Sequence, residues 1–234
     1  MPEPKLLAFD TSTDVLSVAV RHGDRIVAHS GAGGAQASST LIPLIRRLLA
    51  EAGLSLGELD AIAFGRGPGS FTGLRTACAV AQGLGFGAGV PLLPVDTLLA
   101  VAEEARHRFG AQRVVAVLDA RMDQIYAAHY DFDAPHGTTA EAELLAPEAL
   151  AVPDGWVLAG NAFVAYGARL PDVDRHAVLP TAEALLRLAP ALLVAGGAVA
   201  PADAWPLYVR DKVAQTTDER AALKAAQQPP PPAA

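Results

Sequence analysis

Apolar and polar positions along the chain switch between two periods, and the switches outline two similar halves. Residues 5–10 (Lys-Leu-Leu-Ala-Phe-Asp) form an unbroken apolar run closed by a carboxylate, the pattern of a buried strand. After the turn Thr11-Ser12-Thr13-Asp14, residues 15–21 and 25–29 predict a hairpin around Gly23-Asp24. A Gly/Ala loop from Gly31 to Ala37 then leads to a helix from about Thr40 to Ala52, capped by Ser38 or Ser39 and stopped by Gly53. Its main stripe is Leu41, Leu44, Ile45, Leu48, Leu49 and Ala52, with Ile42 lying off it. Residues 61–64 predict a short buried strand, 73–88 a helix, 91–95 a strand, and 97–109 a helix with Glu103, Glu104, Arg106 and Arg108 on its wet side.

The pattern then starts again. Residues 114–119 (Val-Val-Ala-Val-Leu-Asp) predict a strand ending in Asp119, followed by the turn Ala120-Arg121-Met122-Asp123 and a strand at 124–132. At an offset of 109 residues Asp119 matches Asp10 and Asp123 matches Asp14. Trp156-Val-Leu-Ala-Gly160 echoes Ala61-Ile-Ala-Phe-Gly65, and helices follow at about 162–169 and 181–195. The repeat predicts an α/β protein of two similar lobes, 1–109 and 110–215, with a polar, proline-ended tail at 216–234 read as disordered.

The stretch Asp60 to Arg75 carries the most information. A strand passes through Gly65, Gly67, Pro68 and Gly69 into a helix that Ser70 or Thr72 can cap. Glycines leading to a helix N-terminus suit an anion, because the backbone can approach closely and unpaired N–H groups face it. No Lys-Ser/Thr follows the glycines, and position 70 is serine, so neither the P-loop nor the dinucleotide fingerprint is present. A tight turn packing a helix against a strand explains the same residues. The helix at 73–88 has Arg75 as its sole charge, whereas a helix lying on one sheet shows water a polar face. This predicts a second covered face, either inside a large domain or against a partner.

Composition narrows the function classes. The chain has 234 residues, is 51% hydrophobic and 18% charged, and has a formal net charge of −7, which argues against unaided nucleic-acid binding. Its single cysteine, Cys78, lies in an apolar helix, which fits a reducing compartment and no disulfide framework. The histidines at 22, 29, 107, 129, 136 and 176 include no helical pair, there is no Cys/His cluster, and no G-x-S-x-G occurs. Metallopeptidase and serine-hydrolase chemistry are therefore unsupported. Two lobes that each open strand-Asp-turn-strand suggest the actin/sugar-kinase type of ATPase, in which an Asp holds magnesium through water. Asp10 and Asp119 are the candidates, although Thr11-Ser12-Thr13 lacks the glycine that lets such a turn close on phosphate. Gly196-Gly197 is the one candidate for an adenine-side turn, and it serves equally as a helix stop. An independent ATP-dependent small-molecule kinase is the alternative to a subunit without its own activity.

Several segments together resemble one family closely. They are Leu7-Ala-Phe-Asp-Thr-Ser-Thr13, Leu41-Ile-Pro-Leu-Ile45, Ala63-Phe-Gly-Arg-Gly-Pro-Gly-Ser-Phe-Thr-Gly-Leu-Arg75, Leu118-Asp-Ala-Arg-Met122 with Ile125-Tyr126, and Pro206-Leu-Tyr-Val-Arg210. The family is that of the bacterial tRNA threonylcarbamoyladenosine biosynthesis proteins TsaB, or YeaZ, and the resemblance covers about residues 5–213. It implies an actin-like (ribonuclease H-like) fold, two lobes each with a mixed sheet flanked by helices, and common ancestry with TsaD. TsaD is the subunit that transfers threonylcarbamoyl from its adenylate to N6 of adenosine 37 in tRNAs reading ANN codons, and TsaB lacks its metal-binding His-x-x-x-His. The resemblance further implies direct pairing with TsaD through the helices at about 38–52 and 72–88, with Leu41, Ile42, Ile45, Leu49, Leu74, Arg75, Ala77, Cys78 and Ala81 at the interface. TsaE, an ATPase, docks on the pair, and a homodimer can use the same face. A vestigial nucleotide cleft would involve Asp10, Ser12 and Asp119, with no cofactor required by this chain alone and ATP and magnesium acting at the level of the complex. tRNA is met only through the complex, in the cytoplasm and away from membranes. Where many members carry a histidine ahead of the [IL]-[IL]-P motif, this chain has Ala37.

Overall fold

The computed structural model describes residues 4–134 and 141–210, so the expected tail at 216–234 and His136 lie outside the described residues. Ten strands form two five-stranded sheets. The first is ordered β3-β2-β1-β4-β5, from Leu6–Asp10 (β1), Val15–His22 (β2), Arg25–Ala32 (β3), Ala61–Gly67 (β4) and Leu92–Asp96 (β5). The second is ordered β8-β7-β6-β9-β10, from Arg113–Arg121 (β6), Gln124–Asp131 (β7), Glu143–Leu145 (β8), Val157–Gly160 (β9) and Arg175–Ala177 (β10). The two orders are the same once β1 is set against β6, as the 109-residue offset predicts. In each sheet a central strand pairs antiparallel with the strand that follows it and parallel with the third strand after it. The three-residue strands β8 and β10 were not legible, being too short to show a period.

Among the described residues the helices are Ala37–Ala52 (α1), Phe71–Ala88 (α2), Thr97–Phe109 (α3), Phe163–Tyr166 (α4) and Ala182–Val194 (α5). The helix α1 begins earlier than Ser38 or Ser39 would set it. A preceding turn at Gly34–Gln36 runs straight into it, so the hydroxyls of Ser39 and Thr40 sit in its first turn and donate to the Gln36 carbonyl at 3.0 and 2.9 Å. Gly53 ends α1 in the left-handed conformation, as expected.

The layers cut across the lobe boundary expected at residue 109. The helices α1 and α2 lie together on the outer face of the first sheet, over Leu7, Phe9, Ile62 and Phe64. The inner face of that sheet packs mainly on α5, through Ala182, Leu185, Leu186 and Ala189, with Ala100 of its own following helix beside them. Conversely α3, with Leu98, Val101, Ala102 and Ala105, packs on the second sheet. The order through the molecule is thus α1/α2, first sheet, α3/α5, second sheet, α4. The chain crosses between lobes twice, and the middle layer belongs to both.

That layer corrects another expectation. Glu103 and Glu104 are not on a wet side but buried, at 1% and 9% exposure. Helix α5 brings Arg187 against both, with Nε 2.9 Å from Glu103 and Nη2 2.6 Å from Glu104, while Arg106 Nε donates to Glu103 at 2.7 Å and Thr181 Oγ1 donates to Glu104 at 2.9 Å. Charge on a helix read in isolation looks solvated; here the second lobe supplies the counter-ion. Breaking a buried pair leaves an uncompensated charge, so Arg187→Ala should lower the free energy of unfolding by about 3 kcal/mol. Urea unfolding checks this, and a loss below about 0.5 kcal/mol would show that water reaches the glutamates.

Candidate functional site

A cleft of about 220 Å³ opens between the lobes, small beside the 300–1,000 Å³ typical of ligand pockets. Its floor and walls come from four stretches: Ser12–Asp14 after β1, Gly69–Phe71 at the start of α2, Leu118–Met122 after β6, and Leu207–Arg210 at the end of the described chain. Of the residues expected at a nucleotide cleft, Ser12 and Asp119 line it. Asp10 does not; it is wholly buried beneath Ser12.

The glycine-rich stretch determines this. Ser70 caps α2 by accepting from the Gly73 N–H at 3.5 Å. The glycines meet the chain itself. A β-carbon at Gly73 would lie 1.9 Å from the Thr11 carbonyl oxygen, and one at Gly69 2.7 Å from the Ser12 side chain and carbonyl. Thr11 Oγ1 donates to the Gly73 carbonyl at 2.7 Å, and the Ser70 N–H donates to the Ser12 carbonyl at 2.8 Å. The close approach that could have held a phosphate is made by the Thr11-Ser12 turn, so the tight-turn explanation of the glycines is the one that holds.

Gly65 does the same for Asp10. A β-carbon there would sit 1.8 Å from Asp10 Oδ2. Oδ1 accepts from the Ser12 N–H at 2.8 Å and from Ser12 Oγ at 2.6 Å, while Oδ2 is buried with no hydrogen-bond partner. Burial pushes the carboxyl up to about 6, against the opposing effect of the two Ser12 hydrogen bonds. A side chain in that environment is not placed to hold magnesium in the cleft, and the residues present do not fit a metal–nucleotide held by this chain alone.

Asp119 occupies the matching position in the other sheet with the opposite outcome. The strand pairing sets Ala63 against Ala8 and Gly160 against Val117, so Gly160 corresponds to Ala63 rather than to Gly65, and the expected echo is slipped by two residues. The Asp119 carboxyl borders the cleft. Asp119 Oδ1 accepts from the Arg121 N–H at 2.8 Å and from the Tyr166 hydroxyl at 3.0 Å, Oδ2 lies 3.1 Å from Arg121 Nη1, and its own N–H donates to Asn161 Oδ1 at 2.9 Å. Arg121 also reaches Asp14 across the cleft at 3.3 Å. Sequence reasoning missed Arg121, Tyr166, Asn161 and Arg210; the match of Asp14 to Asp123 was the available hint that both turns face one space. Arg121, Met122 and Asp123 all have positive φ (61°, 53° and 62°), and Arg210 braces them by donating to the Ala120 carbonyl at 2.9 Å. Arg169 binds Asp123 and Glu148 and holds both carboxyls below the usual range.

The expected interface residues divide sharply. Leu41, Ile45, Leu49, Ala77, Cys78 and Ala81 are all at most 5% exposed and pack in the cluster over this chain's own first sheet, and Leu74, 2% exposed, borders the cleft. The resemblance set these residues at an interface; in this chain they are buried within it. Ile42, at 44% exposure, and Arg75 remain on the surface, together with Ala79, Gly83 and Phe86 on the outer side of α2. Arg75 lies over the Phe71 ring at 3.8 Å and donates to the Tyr208 hydroxyl at 3.2 Å.

Residues 29–156 match the family described as TsaD, tRNA N6-adenosine threonylcarbamoyltransferase. The tRNA threonylcarbamoyladenosine biosynthesis protein TsaB of Escherichia coli is 36% identical over 227 residues, covering 90% of this chain and 96% of that protein. The chain belongs to the TsaB (YeaZ) family. The TsaB protein of Haemophilus influenzae is 44% identical over 121 residues, 52% of this chain and 51% of that protein. The solved structure of YeaZ from Pseudomonas aeruginosa superposes with a TM-score of 0.81 at 41% identity, covering 88% of this chain and 99% of that one. The two-lobed actin-like fold follows from that likeness and from the paired sheets. No helix of the described residues is long and apolar enough to cross a membrane, and no group of three or more metal-ligating side chains lies together among them.

The buried carboxyl yields a pH prediction. Because its folded value, about 6, exceeds the 3.8 of an unperturbed Asp, the fold favours the proton. Its stabilising effect is complete below pH 3.8 and is lost as pH rises through about 6, a difference of about 3 kcal/mol at neutral pH. Asp10→Asn keeps an oxygen for the Ser12 donors and removes the charge. Relative to the parent, it should gain stability between about pH 4 and 7 in urea unfolding series, the gain flattening above that. Parallel pH profiles for the two proteins would show Asp10 to be solvated instead.

Proposed function

We propose that this chain is a non-catalytic partner subunit in the synthesis of N6-threonylcarbamoyladenosine at position 37 of tRNA. It binds a TsaD-type catalytic subunit through the outer faces of α1 and α2 and holds it in the active form, with a TsaE-type ATPase docking on the pair. ATP and magnesium enter at the level of that complex, tRNA is met only through it, and the complex works in the cytoplasm. The observation that carries the reading is Asp10: the carboxylate that would hold magnesium in an actin-like ATPase is sealed under Ser12 beside Gly65. Supporting it, the exposed side of α2 offers Ala79 and Gly83, which let another helix approach closely, and the exposed Phe86 ring as an apolar anchor beyond them.

Introducing charge at Ala77 or Ala81 would not test this, because both are wholly buried in the chain's own core. The surface variants Ile42→Asp and Ala79→Glu do. Each should leave the melting temperature unchanged and abolish co-elution with the TsaD-type subunit of the same organism; co-elution at parental affinity would remove α1 and α2 as the docking face. The biological role is read by nucleoside mass spectrometry on bulk tRNA from cells depleted of this protein. Loss of threonylcarbamoyladenosine, restored by the parent chain and not by Ala79→Glu, is expected. The competing reading, an independent small-molecule kinase, requires magnesium-ATP turnover by the purified chain that Asp10→Ala eliminates.

A further inference from the structure

Helix α1 carries two cations that the chain itself does not use. Most arginines elsewhere are engaged: Arg66 with Asp96, Arg106 and Arg187 with Glu103, Arg113 with Asp131, Arg121 with Asp14 and Asp119, Arg169 with Asp123 and Glu148, and Arg175 and Arg210 with backbone carbonyls; Arg25 on β3 stands alone without a counter-ion among the described residues, and Arg108 lies over the Phe109 ring. Arg46 and Arg47 are exposed and make no ion pair or hydrogen bond. They line a shallow depression with Ile42 and Pro43, on the outer face that α1 shares with α2. The acidic residue on the exposed side of α1 is Glu51, one turn beyond Arg47 and not paired with it, so this helix is net positive in a chain of net charge −7.

Resting on the docking face proposed above, we infer that Arg46 and Arg47 select the occupant of α1: a protein surface that presents carboxylates around an apolar contact, in preference to a second copy of this chain. A symmetric dimer sets a patch against its own copy. Pairing through α1 therefore brings four guanidinium groups into one interface with only the two Glu51 side chains to offset them, and like charges set together across an interface disfavour the wrong partner. An acidic partner gains at the same positions. The apolar pair Ile42 and Pro43, one turn before the arginines, suits a protein side chain rather than a phosphate backbone, and the overall negative charge of the chain opposes extended contact with RNA.

The test is the double variant Arg46→Ala/Arg47→Ala, measured for binding to the TsaD-type subunit of the same organism across a salt series, and for self-association by sedimentation. Two exposed charge pairs lost should weaken the heteromeric complex about tenfold at low ionic strength. The difference from the parent should shrink as salt rises, and self-association at low salt should be stronger than that of the parent; unchanged self-association would overturn the selection against a second copy. If Ile42→Asp and Ala79→Glu break the complex while the double variant binds at parental affinity, the docking face stands and the charge selection is wrong. If none of the three changes binding, the docking face itself is wrong and the selection falls with it. If the double variant keeps parental protein affinity but the assembled complex loses tRNA, the arginines read phosphate and the inference is overturned.

Discussion

The packing of the glycine-rich stretch onto the turn after β1 is the contact from which the rest of the molecule takes its shape. Gly65, Gly69 and Gly73 each lie where a β-carbon would meet Asp10, Ser12 or Thr11 at 2.7 Å or less. Close-packed interiors transmit such constraints rather than absorb them. The start of α2 is therefore fixed against β1, its buried side falls on the first sheet, and the N-terminal end of the helix is engaged by the Thr11-Ser12 backbone. The same contact seals Asp10. One local feature thus sets the position of α2, the floor of the cleft and the environment of the carboxyl.

The middle layer imposes the second constraint. In a two-lobed fold that closes on a nucleotide, the lobes must move relative to each other. Here α3 leaves the first lobe to cover the second sheet, α5 returns from the second lobe to cover the first, and the two helices are joined by glutamates with almost no exposure bonded to Arg187. Opening the lobes would expose apolar faces on both helices and strip those glutamates of their counter-ion, a larger penalty than parting the exposed Arg121–Asp14 pair across the cleft mouth. The resistance to hinging lies in the layer, not at the rim.

Much of this was legible in residue order. The two strand-Asp-turn-strand openings, the Gly23-Asp24 hairpin, the stop at Gly53 and the cap at Ser70 are each local effects of a few side chains on backbone geometry, and local effects can be read locally. What escaped depends on partners far apart in sequence. Glu103 and Glu104 are charged, and only their contact with a helix some 80 residues later makes them core. The stripes of α1 and α2 showed which positions are apolar but not which of two neighbours they face, and Ala77 and Ala81, which the resemblance set at an interface, are claimed by the first sheet. The echo between the lobes was slipped by two residues because both segments are runs of small apolar residues ending in glycine, and only strand pairing sets their register.

The two carboxyls differ in their surroundings. The lobes are built to one plan, yet Asp10 is buried against Gly65, whereas Asp119 lines the cleft and is held by an arginine and a tyrosine. An Asp that prefers its proton stabilises a turn, and an Asp already neutralised by Arg121 has little charge left for a metal. Asp10 and Asp119 are each engaged within their own lobe, and Arg121 ties the second turn to Asp14 of the first. On the outer side of the first sheet the chain leaves Ile42, the α2 residues Ala79, Gly83 and Phe86, and two arginines without counter-ions. The polar groups of the cleft are satisfied by this chain's own residues, while that outer face keeps apolar and cationic groups open to contact.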